Sequence, residues 1–365
     1  MISLTSKASN NPARLSAYVY PNIPVDRMGS GNPYIQRLRE ALREQGMKVE
    51  ATASANAFAD LVRKGSSADI IILNWLEDLP SRRMGVLQSF ILMAWLYITR
   101  LRGTSLIWIK HNKVSHTQRW FGLRKMIQRF LRRHADHIIV HAYDEETAGL
   151  DKTVFLPHPC TISPSDILVP DKEMEPEIDL LIWGSLQPYK GVLEFLQSVE
   201  KDALLKTLRI HIVGKCPPDY WRQLTAHAGT NVQLVNTFIG EEEIRELFGK
   251  TRFILFTYNK KSVLSSGVLM DSLVACKRIL APDCGAFRDM AEQQQFVTLF
   301  SDLSDIAGLY RNNVDNFILD HDVVSSFVAQ NSWYRMAERI GRLTCQPPLL
   351  PLSKDKLSEH AEISS

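Results

Sequence analysis

The chain has 365 residues, of which 45% are hydrophobic and 23% are charged, and its formal net charge is +3. This length exceeds one ordinary hydrophobic core and predicts two domains, and the composition is that of a soluble globular protein rather than a low-complexity one. The five cysteines form no C-x-x-C pair, so we expect no metal site on them and predict reduced thiols in a cytoplasmic protein.

The small net charge hides an uneven distribution along the chain. Residues 1–165 hold 22 Lys and Arg against 13 Asp and Glu, whereas residues 166–365 hold 21 against 27. Within the first half, residues 81–133 contain twelve basic residues and no acidic one. Such a block indicates an anionic partner surface, either anionic lipid or nucleic acid.

Short apolar runs alternate with amphipathic stretches along the whole chain, which predicts an α/β fold with parallel sheets. In the first half we expect strands at 15–20, 68–73, 105–110 and 137–141, and helices at 33–46, 55–64, 82–101 and 117–134. In the second half we expect strands at 178–183, 208–213, 231–235, 252–257, 277–281 and 296–300, and helices at 190–200, 217–228, 241–249, 266–276 and 302–313. The proline-rich and acidic stretch 157–177 separates two Rossmann-like domains, which should hold a ligand in the cleft between them.

Two segments of the first half carry candidate cleft residues. The loop after the first strand contains Gly29 and Gly31, a weak G-x-G signal for a loop over a ligand. The strand at 105–110 leads into His111, Asn112 and His116, at the carboxyl end where cleft residues belong. Imidazole can bind sugar hydroxyls or move a proton near neutral pH, although loop histidines without a role have the same pattern.

Two further segments combine apolar and basic residues. Residues 82–102 are apolar from Val86 to Thr99 apart from two polar positions, and arginine pairs flank them. This run is too short to span a bilayer and fits either a buried helix or an interfacial one. Residues 117–136 are amphipathic, with aromatic side chains and six basic residues, and favour contact with an anionic membrane. Nucleic acid is the rival partner, but no recognised nucleic-acid motif is present.

The second half contains two candidate phosphate-binding segments. In IWGSLQPYKGV, residues 182–192, a glycine turn follows a strand and Lys190 stands at the next helix start. In SSGVLMDSLVACKRILAPD, residues 265–283, Ser265, Ser266 and Gly267 open a helix whose free N–H groups suit an anion. Asp271 lies one turn deeper on the same face, where a carboxylate could bind a ribose diol. An ordinary N-cap, an exposed Asp and a solvated lysine would give the same sequence.

Taken together, these segments resemble the donor-binding half of GT-B glycosyltransferases, in particular the retaining family 4, or group 1, that includes many bacterial polysaccharide enzymes. The resemblance covers most of residues 178–341 and implies two Rossmann-like domains facing a central cleft. It implies an N-terminal domain at 1–160, completed by a helix at about 325–345, and a nucleotide-sugar-binding domain at 175–320.

The resemblance also assigns roles to single residues. It implies that Lys190 grips the donor diphosphate, that Asp271 stands where the ribose carboxylate does, and that His111 contacts the sugar or the acceptor. Residues 236–244 resemble the segment near the nucleobase. LPHP, residues 156–159, resembles the family's hinge segment, so His158 is interpreted as structural. Two family residues are absent, because Ser185 stands near the usual arginine and the first glutamate falls on Val263.

We therefore expect an enzyme that moves a sugar from GDP-mannose or a UDP-sugar to a lipid-linked or saccharide acceptor, with retention if the resemblance holds. We expect no metal or other cofactor, and a peripheral location on the cytoplasmic face of the membrane, through 82–102 and 117–136. The D-x-D at 320–322 lies past the last predicted unit and is interpreted as a surface loop. A GT-B nucleotide-sugar 2-epimerase and a non-catalytic membrane scaffold are the alternatives.

Overall fold

A computed structural model of the chain describes residues 15–22, 33–50, 56–111, 120–171, 173–260 and 266–345. Two parallel sheets of six strands each organise this part of the chain. Parallel sheets need helical crossovers on their faces, and the long amphipathic stretches between the strands supply them. The result is an α/β architecture with two lobes, one built on each sheet.

The first sheet has the strand order β2-β1-β3-β4-β5-β6. All its pairings are parallel, and Ala17 of β1 pairs with both Val49 and Ile70. The strands are β1 (Ser16–Tyr20), β2 (Lys48–Val49), β3 (Ile70–Asn74), β4 (Ser105–Lys110), β5 (His137–Val140) and β6 (Thr153–Phe155). The helices are α1 (Tyr34–Glu44), α2 (Ala57–Gly65), α3 (Gly85–Leu101) and α4 (Phe121–His134). We call this sheet and its four helices the first lobe.

The second sheet has the order β12-β11-β10-β7-β8-β9, which is the strand order of dinucleotide-binding Rossmann folds. Its strands are β7 (Ile178–Trp183), β8 (Ile210–Val213), β9 (Val232–Val235), β10 (Thr251–Leu255), β11 (Ile279–Pro282) and β12 (Val297–Phe300). Its helices are α5 (Val192–Val199), α6 (Pro218–His227), α7 (Glu241–Lys250), α8 (Gly267–Asp271), α9 (Gly285–Gln293) and α10 (Asp305–Asn313). We call this sheet and these helices the second lobe.

Two helices follow the second lobe, α11 (His321–Gln330) and α12 (Trp333–Cys345). Helix α12 packs against α1, and its Met336, Ala337 and Ile340 belong to the same buried cluster as Leu38 and Leu42 of α1. These three apolar residues are spaced so that they lie on one helix face, and that face is therefore buried against a hydrophobic core. The end of the described chain therefore crosses back to the first lobe.

All ten predicted strands are present, and the structure adds the short β2 and β6. The helix predicted at 266–276 is wrong in length, because only α8 is α-helical and Ser272–Ala275 continue as a 3-10 helix. The D-x-D at 320–322 is not a loop. Its Asp320 caps α11, with the carboxylate accepting hydrogen bonds from the N–H groups of Asp322 and Val323. Helix α9 was also missed, since no predicted element covered residues 285–293.

Helix α3 has an unusual distribution of side chains between core and surface. Its buried positions are Gly85, Ser89, Leu92, Leu96 and Thr99, three of which are small or polar. All its exposed positions are apolar, and they follow a helical period along one face: Leu87, Phe90, Ile91, Ala94, Tyr97, Ile98 and Leu101. The helix therefore turns its bulky apolar side chains outward. None of the described helices is long and apolar enough to cross a membrane.

Candidate active site at the topological switch point of the second lobe

The second sheet reverses its strand order between β7 and β10. Chains leaving two such strands diverge to opposite sides, and the gap between them is where open α/β sheets bind ligands. Gly184 follows β7, and Tyr258 follows β10. The two sequence segments that suggested phosphate binding are therefore brought to the same crevice.

Lys190 ends a 3-10 helix at Pro188–Lys190 and is 4% exposed. Its Nζ lies 5.3 Å from the centre of the Tyr258 ring. Within the described part of the chain, this ammonium forms neither an ion pair nor a hydrogen bond. Burial lowers its pKa, whereas the nearby Tyr189 raises it. A buried cation without an anionic partner is costly in free energy, so Lys190 is an unusual residue of this crevice.

Two glycines shape the turn around this lysine. Gly184 has φ +91°, and a Cβ there would stand 3.6 Å from Lys190 Nζ and 3.4 Å from the Val268 side chain. Gly191 has φ +70°, and a Cβ there would stand 2.2 Å from the Thr257 carbonyl oxygen. The Thr257 hydroxyl donates a 2.6 Å hydrogen bond to the Lys190 carbonyl oxygen. These contacts fix the backbone that carries the ammonium.

The start of α8 forms the other wall of this crevice. Ser266 precedes the helix without capping it, and its hydroxyl lies 3.4 Å from the Tyr258 hydroxyl. Burial raises the pKa of Tyr258 to about 12, so the phenol is neutral. Val268, in the first turn, packs close to Gly184. Since α8 is only five residues long, its dipole is small, and the principal positive charge here is Lys190.

Asp271, at the end of α8, has neighbours from the other side of the cleft. Burial raises the pKa of this carboxyl, while the Arg37 guanidinium of α1 and the Thr161 hydroxyl lower it. Arg37 also donates a hydrogen bond of 2.5 Å to Thr161 Oγ1. Lys190 is not among the groups that shift this pKa. The structure thus places Asp271 at the seam between the lobes.

His111 lies at the carboxyl end of β4, in the first lobe, and is buried. Its ring stacks on Trp75 with centroids 4.2 Å apart and an interplanar angle of 21°. Asn74 donates its amide to the Tyr20 carbonyl, so its Oδ1 accepts the 2.8 Å hydrogen bond from His111 Nε2. Burial holds the pKa of His111 well below its usual range, and the nearby His141 and His158 lower it further. The neutral ring is therefore suited to hydrogen bonding rather than to acting as a positively charged imidazolium.

A cluster of aromatic and imidazole rings surrounds His111. Tyr34 contacts it edge-on, with centroids 4.6 Å apart, and donates a 2.7 Å hydrogen bond to His141 Nε2. His141 Nδ1 in turn donates to the Leu156 carbonyl oxygen at 2.8 Å. The ring centroids of His158 and Tyr34 are 5.4 Å apart, and His158 is the member of the cluster that lies next to α8. Sequence reasoning missed Tyr34 and Trp75, because an aromatic residue at such a position is equally typical of a hydrophobic core.

Four of the sequence-predicted site residues lie outside the described residues: Gly31, Asn112, His116 and Ser265. The remaining five lie in three places. Lys190, Ser266 and Gly267 meet at the switch point of the second lobe, Asp271 lies at the seam between the lobes, and His111 lies in the first lobe. The described residues include no group of three or more His, Cys, Asp or Glu side chains arranged to hold a metal ion.

The architecture is shared with solved glycosyltransferase structures. The structure of HepE from Anabaena in complex with UDP matches with a TM-score of 0.64 and 11% identity, over 90% of this chain and 98% of that one. Sucrose-phosphate synthase from Thermosynechococcus elongatus matches with 0.62 and 13%, over 90% and 97%. The chain has the GT-B fold.

A third match extends the same comparison to a larger share of the chain. The trehalose-6-phosphate synthase OtsA matches with a TM-score of 0.59 and 11% identity, over 92% of this chain and all of that one. No protein-family model matches the sequence, and no curated protein matches it. The structural matches confirm the predicted GT-B fold. Their sequence identities are too low to transfer the function of those proteins to this chain.

Proposed function

We propose that the chain is a glycosyltransferase that takes a sugar from a nucleotide donor, GDP-mannose or a UDP-sugar. The observation that carries this proposal is the ammonium of Lys190, buried without an anionic partner among the described residues. It lies at the switch point of a Rossmann-like sheet, beside Gly184, where backbone can approach a ligand closely. A nucleoside diphosphate supplies the missing negative charge.

The solved structures with the same fold also support a nucleotide-sugar donor. The HepE structures contain UDP, or UDP and glucose, and the names of the two synthases describe sugar phosphates. In our proposal the diphosphate sits between Lys190 and the Ser265–Gly267 segment, and Asp271 holds the ribose. The ribose role requires Asp271 to exchange its Arg37 and Thr161 neighbours for the diol.

Chemically, the main task in this transfer is to stabilise the negative charge that develops on the leaving diphosphate. A preorganised cation in a site shielded from water performs that task without a metal. Lys190 is such a cation, because Thr257 and the Gly191 turn hold its backbone in place. His111 is neutral and oriented by Asn74, so we assign it the role of orienting the transferred sugar or the acceptor hydroxyl. We propose retention of anomeric configuration, together with Asn112, His116 and Gly31 on the acceptor side.

We further propose that the acceptor is a polyprenyl-diphosphate-linked or other saccharide, reached from a membrane surface. The outward apolar face of α3 includes Leu87 and Leu101, which are 54% and 60% exposed. Arg129 and Arg133 of α4 line a groove with the α3 residues Ala94 and Tyr97, so cations border the apolar face. This combination supports an interfacial surface on anionic lipid. We propose that the enzyme is peripheral on the cytoplasmic face of the membrane and acts in polysaccharide synthesis.

Binding and product formation test the proposal in two steps. Thermal unfolding is followed with UDP, GDP, UDP-glucose and GDP-mannose, and a nucleotide should raise the midpoint of the wild type but not of Lys190→Ala. Product mass is then measured with a polyprenyl-diphosphate-linked acceptor, in the presence and absence of EDTA. Equal stabilisation of both proteins by nucleotide would contradict the assigned diphosphate site. Conversion of the donor without an acceptor would point to an epimerase instead.

A further inference from the structure

His158, between the two lobes, reaches the start of α8. Its Cε1 and Nε2 atoms lie 3.4 and 3.6 Å from the point where a Cβ on Gly267 would stand. These distances correspond to ordinary van der Waals contact, so the imidazole packs against the start of α8. The ring therefore lies next to the helix start that forms one wall of the candidate diphosphate site.

Hydrogen bonding fixes which nitrogen of this ring carries the proton. His158 Nδ1 lies 3.0 Å from the Pro159 carbonyl oxygen. A carbonyl can only accept, so Nδ1 must donate, and Nε2 of the neutral ring keeps its lone pair. Nε2 has no hydrogen-bond partner in the described ranges of the chain. The described part of the site thus contains an oriented acceptor that can take a hydrogen bond from a ligand.

The surroundings keep this ring neutral. Burial lowers the pKa of His158 to about 3, and both His141 and the Arg37 guanidinium lower it, while the bond to Pro159 opposes the shift. The Tyr34 and Trp333 rings, with centroids 5.4 and 6.1 Å from that of His158, complete its packing. At physiological pH the ring therefore presents a lone pair and not a positive charge.

We propose that His158 Nε2 accepts a hydrogen bond from a hydroxyl group of the donor's sugar, and that this contact selects donors carrying that hydroxyl. The inference rests on the proposed function, since it needs a nucleotide sugar in the crevice. A lone pair repels phosphate oxygens, so Nε2 does not bind the diphosphate itself. The sugar is the next group along the donor and brings hydroxyl donors to the same place.

The energetic consequence depends on whether the ligand supplies a hydrogen-bond donor to this acceptor on a half-buried side chain. When a nucleotide without sugar binds, Nε2 has no donor from the ligand. When a sugar hydroxyl reaches it, one neutral hydrogen bond forms, which corresponds to roughly five- to tenfold in affinity. His158 would therefore affect the gain in affinity from the sugar, and not the affinity for the nucleotide alone.

Two substitutions separate this role from packing. Gln places an acceptor oxygen near the position of Nε2, whereas Phe retains a planar ring with no acceptor. Calorimetry measures the affinities of UDP and UDP-glucose, and of GDP and GDP-mannose, for the wild type, His158→Gln and His158→Phe. The ratio of sugar-nucleotide to nucleotide affinity is the readout, and thermal unfolding confirms that each variant is folded.

In the nucleotide pair that gains affinity from its sugar, we expect His158→Phe to lower the ratio roughly five- to tenfold, and His158→Gln to keep it within about twofold. An unchanged ratio in His158→Phe overturns the proposal, and so does an equal loss for nucleotide and sugar nucleotide. A wild type that binds nucleotide but gains nothing from either hexose also overturns it. A wild type that binds neither nucleotide contradicts the proposed function itself, before any variant is compared.

Discussion

The Lys190 ammonium lies 3.6 Å from the point where a Cβ on Gly184 would stand, and 5.3 Å from the centre of the Tyr258 ring. These residues follow the two strands between which the second sheet reverses its order. The cation is therefore held by both sides of the crevice. Its position shows how two weak sequence motifs, far apart along the chain, meet in one crevice.

Replacing Lys190 by Ala should weaken UDP or GDP binding about 10- to 100-fold, because a charge-assisted hydrogen bond to phosphate is lost. Lys190→Arg should recover only part of the affinity, since the larger guanidinium must fit beside Gly184. Calorimetry at two salt concentrations measures both effects. Lys201→Ala is the matched control, because this lysine is exposed on the same lobe and should leave affinity unchanged.

Gly191 should tolerate no side chain. Its φ is +70°, and a Cβ would stand 2.2 Å from the Thr257 carbonyl oxygen. We expect Gly191→Ala to reduce the free energy of unfolding by about 2 kcal/mol or more, because both backbone strain and steric overlap contribute. Gly308→Ala, in α10 with nothing within 4 Å, should instead be stabilising by about 0.5–1 kcal/mol. Denaturant unfolding compares them, and equal effects would contradict the assigned role of the turn.

Asp271 offers a test of the ribose assignment that is independent of Lys190. If its carboxylate binds the diol, Asp271→Ala should bind UDP and 2′-deoxy-UDP equally, whereas the wild type should prefer UDP roughly tenfold. If the carboxylate only joins the lobes through Arg37 and Thr161, the preference for UDP should survive the substitution. Arg37→Ala is the companion variant, since it disturbs the seam and leaves the carboxylate in place.

Much of this architecture could be predicted from the sequence, since parallel strands such as β3 and β4 are continuous apolar runs. The short strands β2 and β6 could not be predicted, because two or three residues are too few to show a hydrophobic periodicity. Lys190 was found through its glycine turn. Tyr34 and Trp75 were not, since only the folded sheet brings them to His111. For 82–102 the sequence left both a buried and an interfacial helix open, and the structure shows the helix half buried with its apolar face outward.

Glu77 should make the stability of the first lobe depend on pH. Burial raises the pKa of this carboxyl from 4.5 to about 7, and Asp78 adds to the increase while Lys110 opposes it. Neither carboxylate oxygen finds a hydrogen-bond partner of good geometry in the described chain. Because the native pKa is raised, stability from this group is fully present below pH 4.5 and is lost as the pH rises to about 7.

Glu77→Gln cannot ionise, so its stability relative to the wild type should increase between pH 4.5 and about 7 and then remain constant. The gain should be on the order of 3 kcal/mol at neutral pH. Denaturant unfolding of both proteins at several pH values gives the difference directly. Glu44→Gln, at an exposed position of α1, should show no such trend. A flat difference for Glu77→Gln would mean that the carboxyl is hydrated in the native protein.

The apolar face of α3 provides the last prediction. Phe90 and Ile98 are 52% and 47% exposed, and each should bury its side chain in the acyl boundary of a membrane. Replacing either by Glu removes apolar area and adds a charge that anionic lipid repels, so flotation with vesicles containing phosphatidylglycerol should fall at least about tenfold.

Charge and apolar contact can be separated in the same assay. Val169→Glu, at an exposed apolar position in the segment between the two sheets, is the control and should not change flotation. Arg129→Gln together with Arg133→Gln should weaken binding to anionic vesicles but not the small binding to neutral ones, because only the electrostatic part is removed. If Phe90→Glu floats as the wild type does, the face does not enter the membrane. A partner protein or a second copy of the chain must then cover this face. Seven exposed apolar positions on one helix face form a larger apolar patch than a soluble monomer normally exposes to solvent.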